Sequence, residues 1–173
     1  MPVGSQKLIF IGGVHGSGKT TIGSKAALRL GADFKSCSQI IRAERQTQTV
    51  STPGIADVEV NQRALIAGLK RLRSSSATVM LDGHFTLKTQ NDGIQPIPLS
   101  VFEAMLPDEL FLVETSSSSI SIRLASRDGV VIPEATIIHH QEQERRFAEL
   151  VSQHFGRSLI VLNGDDDKAH LLI

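Results

Sequence analysis

The sequence predicts an α/β fold of three layers, a parallel five-stranded sheet flanked by helices, in a single domain over 1–173. Three observations predict it. Short apolar runs alternate with stretches of helical spacing along the chain, the pattern of a parallel sheet covered by helices. The first apolar run passes through a glycine-rich turn straight into a helical pattern. The length of 173 residues suits one domain, and 40% hydrophobic with 21% charged residues is a globular composition.

Each element follows from local pattern. Lys7–Ile11 (KLIFI) reads as a strand, Gly12–Gly18 as a turn and Lys19–Leu30 as a helix. Asp33–Cys37 is a short second strand and Gln39–Arg45 a short helix. Thr47–Asp57, with Pro53 and Gly54, reads as a loop. Val58–Arg73 carries Val58, Leu65, Leu69 and Leu72 at helical spacing, and Ser74–Ser76 stops it. Ala77–Leu81 is a buried strand ending at Asp82. Phe85–Pro98, with Asp92-Gly93, Pro96 and Pro98, reads as irregular, followed by a turn or two of helix at Ser100–Met105. Leu110–Val113 is a strand, Ser117–Arg127 a helix and Asp128–Pro133 a turn-rich connection. Glu134–Phe155 is a long helix, Ser158–Leu162 the last strand, and Gly164–Asp167 ends it.

Composition excludes several functions. Eighteen Lys+Arg balance eighteen Asp+Glu, which argues against a generally basic nucleic-acid binder. Trp and Tyr are absent, so aromatic base stacking is not the main activity. Cys37 alone makes neither an intramolecular disulfide nor a cysteine zinc site. No apolar run reaches the roughly 18–20 residues of a membrane span, and Met1–Gln6 does not open a secretory signal. The expectation is a soluble, cytoplasmic protein.

Gly13-Val14-His15-Gly16-Ser17-Gly18-Lys19-Thr20 fits G-x-x-x-x-G-K-[ST] between a strand and a helix. Glycines let the backbone curl until several N–H groups face one anion, and the helix N-terminus adds partial positive charge. In such a phosphate loop, as found in P-loop NTPase folds, Lys19 reaches the β- and γ-phosphates of ATP and Thr20 offers its hydroxyl to Mg²⁺. Gly13, His15, Gly16, Ser17, Gly18 and Thr21 complete the nucleotide-binding set. Asp82, at a strand end, is the expected second group of the Mg²⁺ site. The N-K-x-D motif of switch GTPases is absent. Small size with several downstream arginines points to phosphoryl transfer between two small molecules.

The chain resembles the nucleoside-monophosphate kinase group, above all the archaeal-type adenylate kinases. Gly13–Thr21 is similar to the family loop. Ser36-Cys37-Ser38-Gln39-Ile40-Ile41-Arg42-Ala43 resembles the opening of the monophosphate-binding lobe, and Val79–His84 the strand ending in Asp-x-His. Lys88-Thr89 to Pro98 resembles the following basic loop, Arg123–Asp128 the helix entering the lid, and His140-Gln141 with Arg145-Arg146 the helix leaving it. The resemblance implies an acceptor lobe near 38–73, a short lid near 128–134, and Arg42 on the acceptor phosphate. It leaves room for a homo-oligomer. Ser38-Gln39 stands where the family has Gly-Asp, so the acceptor stays open.

Phosphoryl transfer needs positioning and charge neutralisation, and arginine grips phosphate by two bonds. Arg123 and Arg127, four apart, share one helix face. With Lys19 they form the expected catalytic set, joined by one of Arg145 and Arg146, which diverge by about 100° around their helix. Arg42, Asp82, His84 and Lys88 are the acceptor-side candidates. Glu142, Glu144 and Glu149 read as solvating the long helix. The leading expectation is transfer of the ATP γ-phosphoryl to a nucleoside monophosphate, AMP first. A kinase for a nucleoside or coenzyme precursor, and a regulatory ATP-binding protein with slow hydrolysis acting through a partner, stay open beside it.

Overall fold

The computed structural model describes residues 7–47, 56–75, 78–89 and 93–173. Five strands form one parallel sheet: β1 (Lys7–Gly12), β2 (Asp33–Ser36), β3 (Thr78–Asp82), β6 (Glu109–Glu114) and β7 (Leu159–Asn163), in the order β2-β3-β1-β6-β7. Around it run α1 (Lys19–Leu30), α2 (Cys37–Thr47), α3 (Ala56–Ser75), α4 (Leu99–Met105), α5 (Ser117–Asp128) and α6 (Glu134–Phe155).

The period-2 alternation of β1 assigns its side chains to two cores. Leu8 and Phe10 join Val79, Leu81, Leu110 and Leu112 against α2, α3, α4 and α6. Ile9 and Ile11 join Met80, Phe111, Val113 and Leu162 against Ile22, Ala26 and Ala27 of α1. Burial on both faces is why these strands read as unbroken apolar runs. Each fully buried large side chain contributes about 1.5–3 kcal/mol of transfer free energy. Phe10, Phe85 and Phe102 pack with ring centroids 5.0–5.6 Å apart. This cluster anchors the backbone just after β3.

Register brings the carboxyl ends of the strands to one edge. Ile11 lies beside Asp82, Ser36 beside Asp82, Gly12 beside Leu112, and Glu114 beside Asn163. In open α/β sheets this edge is where ligands bind.

The structure corrects the reading of Phe85–Pro98 as wholly irregular. Thr86–Lys88 (β4) and Ile94–Pro96 (β5) form an antiparallel pair. Two prolines and a strand length of three residues hid it, since proline is confined to edges and strand ends. The predicted Asp33–Cys37 strand stops at Ser36, and Cys37 opens α2. Of the predicted Thr47–Asp57 loop, Thr47 ends α2, Ala56 and Asp57 begin α3, and 48–55 lie outside the described residues. A short 3₁₀ turn at Ala169–Leu172 follows β7 and packs Ala169 into the α1 core, an element the sequence reading lacked.

Candidate active site

The turn from β1 to α1 forms an anion cradle. Gly13, Gly16 and Gly18 have φ of 150°, 84° and 94°, values that side chains disfavour. Ser17 N–H donates to Val14 O at 3.2 Å and closes the loop. Lys19 Nζ curls back to donate to Val14 O at 3.4 Å. The Ser17 hydroxyl is fully buried and has no hydrogen-bond partner among the described residues. A buried orphan hydroxyl in a glycine-rich turn that opens a helix fits an oxyanion.

Thr20 and Asp82 meet at the next position. Thr20 Oγ1 donates to Asp82 Oδ2 at 2.5 Å, and Lys19 Nζ lies 4.0 Å from Asp82 Oδ1. Burial lowers the Lys19 pKa, while Asp82 and then Glu144 pull it back up. No cluster of three or more His, Cys, Asp or Glu ligands occurs among the described residues. A hydroxyl and one carboxylate beside a phosphate cradle fit Mg²⁺, which takes few protein ligands when phosphates supply the rest.

A cavity of about 520 Å³ opens beside the loop, lined by Gly16, Thr20, Thr21, Lys25, Arg123 and Asp165 among others. Arg123 donates from Nη1 to Gly16 O at 3.1 Å, and from Nη2 to Gly164 O at 3.2 Å and Asp165 Oδ1 at 2.9 Å. It thereby ties α5 to both walls of the cavity. Gly164 touches the loop so closely that a Cβ there would lie 1.9 Å from Ser17 O. Arg127 also lines this cavity, paired with Asp128 at 2.8 Å and 2.5 Å from His15 Nε2. That pairing holds the exposed Asp128 carboxyl down to about 2.

The 145/146 pair lies elsewhere. Arg145 is bound to the Glu114 carboxylate and lines a separate groove with Thr115, Ser116 and Gln141. Arg146 is exposed on α6. Neither lines the cavity beside the loop.

An apolar pocket of about 200 Å³ lies between α2, α3 and α4. Phe10, Cys37, Ile41, Leu65 and Met105 wall it, and Asn61, Gln62 and His84 bring polar groups. Burial lowers the His84 pKa to about 3, with Lys19 adding to the effect, so its imidazole is neutral. Burial likewise pushes the Cys37 thiol up to about 12, leaving it unreactive. Arg42 is exposed on α2 and does not line this pocket. Lys88, exposed on β4, lines a third cavity together with His15 and His140.

The structure overturns the solvating role read for Glu144. Its side chain is 1% exposed. Oε1 accepts from Gly13 N–H at 3.2 Å and Phe85 N–H at 2.7 Å; Oε2 accepts from Thr86 N–H at 2.8 Å and from the Thr86 hydroxyl. Burial raises its pKa against the pull of these donors. The signal was present in the sequence: Glu144 stands in register with the buried Ile137, His140, Ala148 and Val151 of α6. Gly164 and Asp165 were also missed, since a loop after the last strand carries no periodicity.

Fold and loop together define a P-loop nucleotide-binding α/β protein. Residues 12–139 match the family described as AAA domain, and the chain belongs to that family. It is 23% identical to an adenylate kinase of Pyrococcus horikoshii, over 93% of this chain and 88% of that one. To an adenylate kinase of Methanoculleus marisnigri it is 25% identical, over 92% and 91%. Among solved structures it is similar to a shikimate kinase from Acinetobacter baumannii in complex with shikimate (TM-score 0.59, 20% identity, 98% and 89% covered). A gluconokinase from Sinorhizobium meliloti is similar at TM-score 0.52 and 15% identity, with 98% and 88% covered. These likenesses support the fold. No described helix is long and apolar enough to cross a membrane.

Proposed function

We propose that this enzyme transfers the γ-phosphoryl of MgATP to a nucleoside monophosphate, with AMP as the first acceptor to test. The observation that carries the reading is a pair of cavities, one beside the phosphate loop and lined by Lys19, the other between α2 and α3 and lined by His84, two residues beyond Asp82. The first has the loop, Arg123 and a turn after β7 to hold a nucleoside triphosphate. The second has apolar walls and two carboxamides, suited to a flat base that needs both contact area and edge hydrogen bonds. The adenylate kinase relatives point the same way.

In this reading Lys19 and the loop N–H groups hold the transferring phosphoryl in line, and Thr20 with Asp82 holds Mg²⁺. The ion supplies charge neutralisation across the β- and γ-phosphates. Arg123 orients the donor from above. The residues of 129–133, between α5 and α6, act as a short lid that limits loss of phosphoryl to water.

One observation favours a second acceptor class. The apolar pocket has no lysine or arginine among its described lining residues. A nucleoside or other uncharged acceptor would suit it without a phosphate clamp. The test is MgATP with AMP, CMP, UMP, GMP, dAMP and adenosine, one at a time, followed by ³¹P NMR, with Lys19→Ala as the control. Conversion of one monophosphate to a diphosphate in step with ADP formation, lost in Lys19→Ala, upholds the reading. Phosphorylation of adenosine alone upholds the second. Slow hydrolysis with no acceptor phosphorylated overturns both.

A further inference from the structure

We propose that Glu144 is a positioning residue for phosphoryl transfer: one buried carboxylate holds the phosphate loop and the segment after β3 at a fixed spacing. The inference rests on the phosphotransfer reading for its kinetic consequence, but the bridge itself can be observed without turnover.

A buried carboxylate is costly unless its lone pairs are met by donors. Glu144 meets four, and they come from two segments far apart in sequence, Gly13 on one side and Phe85 with Thr86 on the other. Gly13 is the first glycine of the cradle. Phe85 and Thr86 directly follow Asp82-Gly83-His84 and lead into Lys88. The carboxylate therefore joins the backbone of the donor side to the backbone that carries the metal carboxylate and the imidazole of the acceptor pocket. The two segments also meet where Gly83 N–H donates to Ile11 O at 3.0 Å, where the His84 ring bonds the Gly13 backbone and where the Phe85 ring packs on Gly12, and Glu144 adds the link that reaches Gly13, Phe85 and Thr86 from a third element, α6.

The supports of Glu144 are themselves ordered. The Thr86 hydroxyl donates to Oε2 and so has only acceptor capacity left for His140 Nε2, at 3.2 Å. His140 then carries its proton on Nε2. It lies one turn before Glu144 on α6, so one helix face presents both groups. Burial keeps this imidazole neutral, with Lys88 adding to the effect. The charge of Glu144 also reaches Lys19, whose ammonium it favours. Because α6 leaves the lid segment, movement of the lid can reach both halves of the site through this one side chain.

Glu144→Gln is the discriminating variant. It keeps the shape and replaces one acceptor oxygen with an NH₂. Whichever way the amide turns, that NH₂ faces backbone N–H donors. The experiment follows the ¹⁵N amide signals of Gly13, Phe85 and Thr86 as MgADP is added, with ADP affinity, melting temperature, kcat and KM measured on the same samples. In the wild type all three amides should respond together. In Glu144→Gln the Gly13 response should persist while that of Thr86 falls at least threefold, because Thr86 is on the opposite oxygen from Gly13 and either turn of the amide breaks the path between them. Affinity for MgADP should stay within about threefold, and kcat should fall at least thirtyfold. A purely structural role would instead lower affinity and kcat together with melting temperature, and that result overturns the proposal. So does a coupled response of all three amides in Glu144→Gln. Should that variant fail to fold, Thr86→Val removes a single donor; the proposal then requires a weakened Phe85 response and a threefold or larger fall in kcat, and fails if both are unchanged. A wild type that phosphorylates no acceptor defeats the phosphotransfer reading, and the amide responses still decide the bridge.

Discussion

Thr20 Oγ1 stands 2.5 Å from Asp82 Oδ2, a contact that joins the first turn of α1 to the end of β3. Both residues lie at the sheet edge, and Lys19 Nζ is 4.0 Å from the other oxygen of the same carboxylate. Thr20, through a hydroxyl lone pair, and Asp82, through its carboxylate, would hold a divalent ion here, and the ion would neutralise phosphate charge. Asp82→Asn keeps the shape and removes the charge. Its kcat should fall by about two orders of magnitude, and the Mg²⁺ concentration for half-maximal rate should rise. Titrating Mg²⁺ against rate at saturating ATP measures both. An unchanged Mg²⁺ requirement would remove Asp82 from the metal site.

The arginines are expected to separate into two groups. Arg123 makes three hydrogen bonds to the walls of the donor cavity, two of them to backbone carbonyls. Bonds to a charged group are worth about 1.5–3 kcal/mol each when partly shielded. Arg123→Ala should therefore lower kcat/KM for ATP by roughly 10- to 100-fold, an amount below the full sum because the pair with Asp165 is solvent-screened. Arg145 is bound to Glu114, in a groove that takes in no residue of the phosphate loop and shares only Asp165 with the donor cavity. Arg145→Ala should change kcat/KM by less than threefold. Steady-state kinetics of the two variants side by side decide it; equal losses would mean that α6 swings Arg145 into the site.

The sequence carried the fold and the donor half of the site further than the acceptor half. Strands such as β1 and β6 are buried on both faces, so their apolar runs are unmistakable, and the phosphate loop is contiguous. Lys19, Thr20 and Asp82 were legible because each sits at a fixed offset from a strand end. Glu144 was not, because a charged residue on a long helix is usually solvated and its donors lie 58, 59 and 131 residues away. The β4–β5 pair was hidden by Pro96 and by its short length. Arg42 matched a family position, yet on α2 it is exposed beside the pocket and not in its wall. Helical spacing says which residues share a face, not which face meets a cavity formed by three separate helices.

Gly164 is expected to tolerate no side chain. A Cβ would lie 1.9 Å from Ser17 O, a backbone atom held within the phosphate loop. The Gly164 N–H also donates to Glu114 O at 2.6 Å, so the turn cannot back away freely. Gly164→Ala should cost about 1–3 kcal/mol or more by overpacking, and should weaken MgADP binding at least tenfold by displacing the loop. Calorimetric binding and thermal melting of the purified variant test this. Wild-type affinity in Gly164→Ala would show that the turn and the loop are not in contact in solution.

Stability should decline as the solution is acidified below about pH 6.5, before the carboxylates titrate. His84 and His140 are held neutral by burial, with folded-state values of about 3 and about 4. The unfolded chain takes up these two protons near pH 6.5. Between there and pH 4 the unfolded state binds more protons than the folded one, so stability rises with pH across that window and falls on acidification. The limiting slope is about 1.4 kcal/mol per pH unit for each proton. Asp128 and Asp165, both held near 2, add a loss of the same sign only below about pH 4. Glu144 works in the opposite sense, because its raised value lets the folded state take a proton first. His140→Gln retains a donor for Thr86 and removes one titrating group. Urea melts at pH 7.0, 6.0 and 5.0 should show the wild type losing stability steadily and His140→Gln losing about half as much. Parallel curves for the two proteins would mean that His140 is protonated in the folded state, and that the Nε2 proton toward Thr86 is one of two.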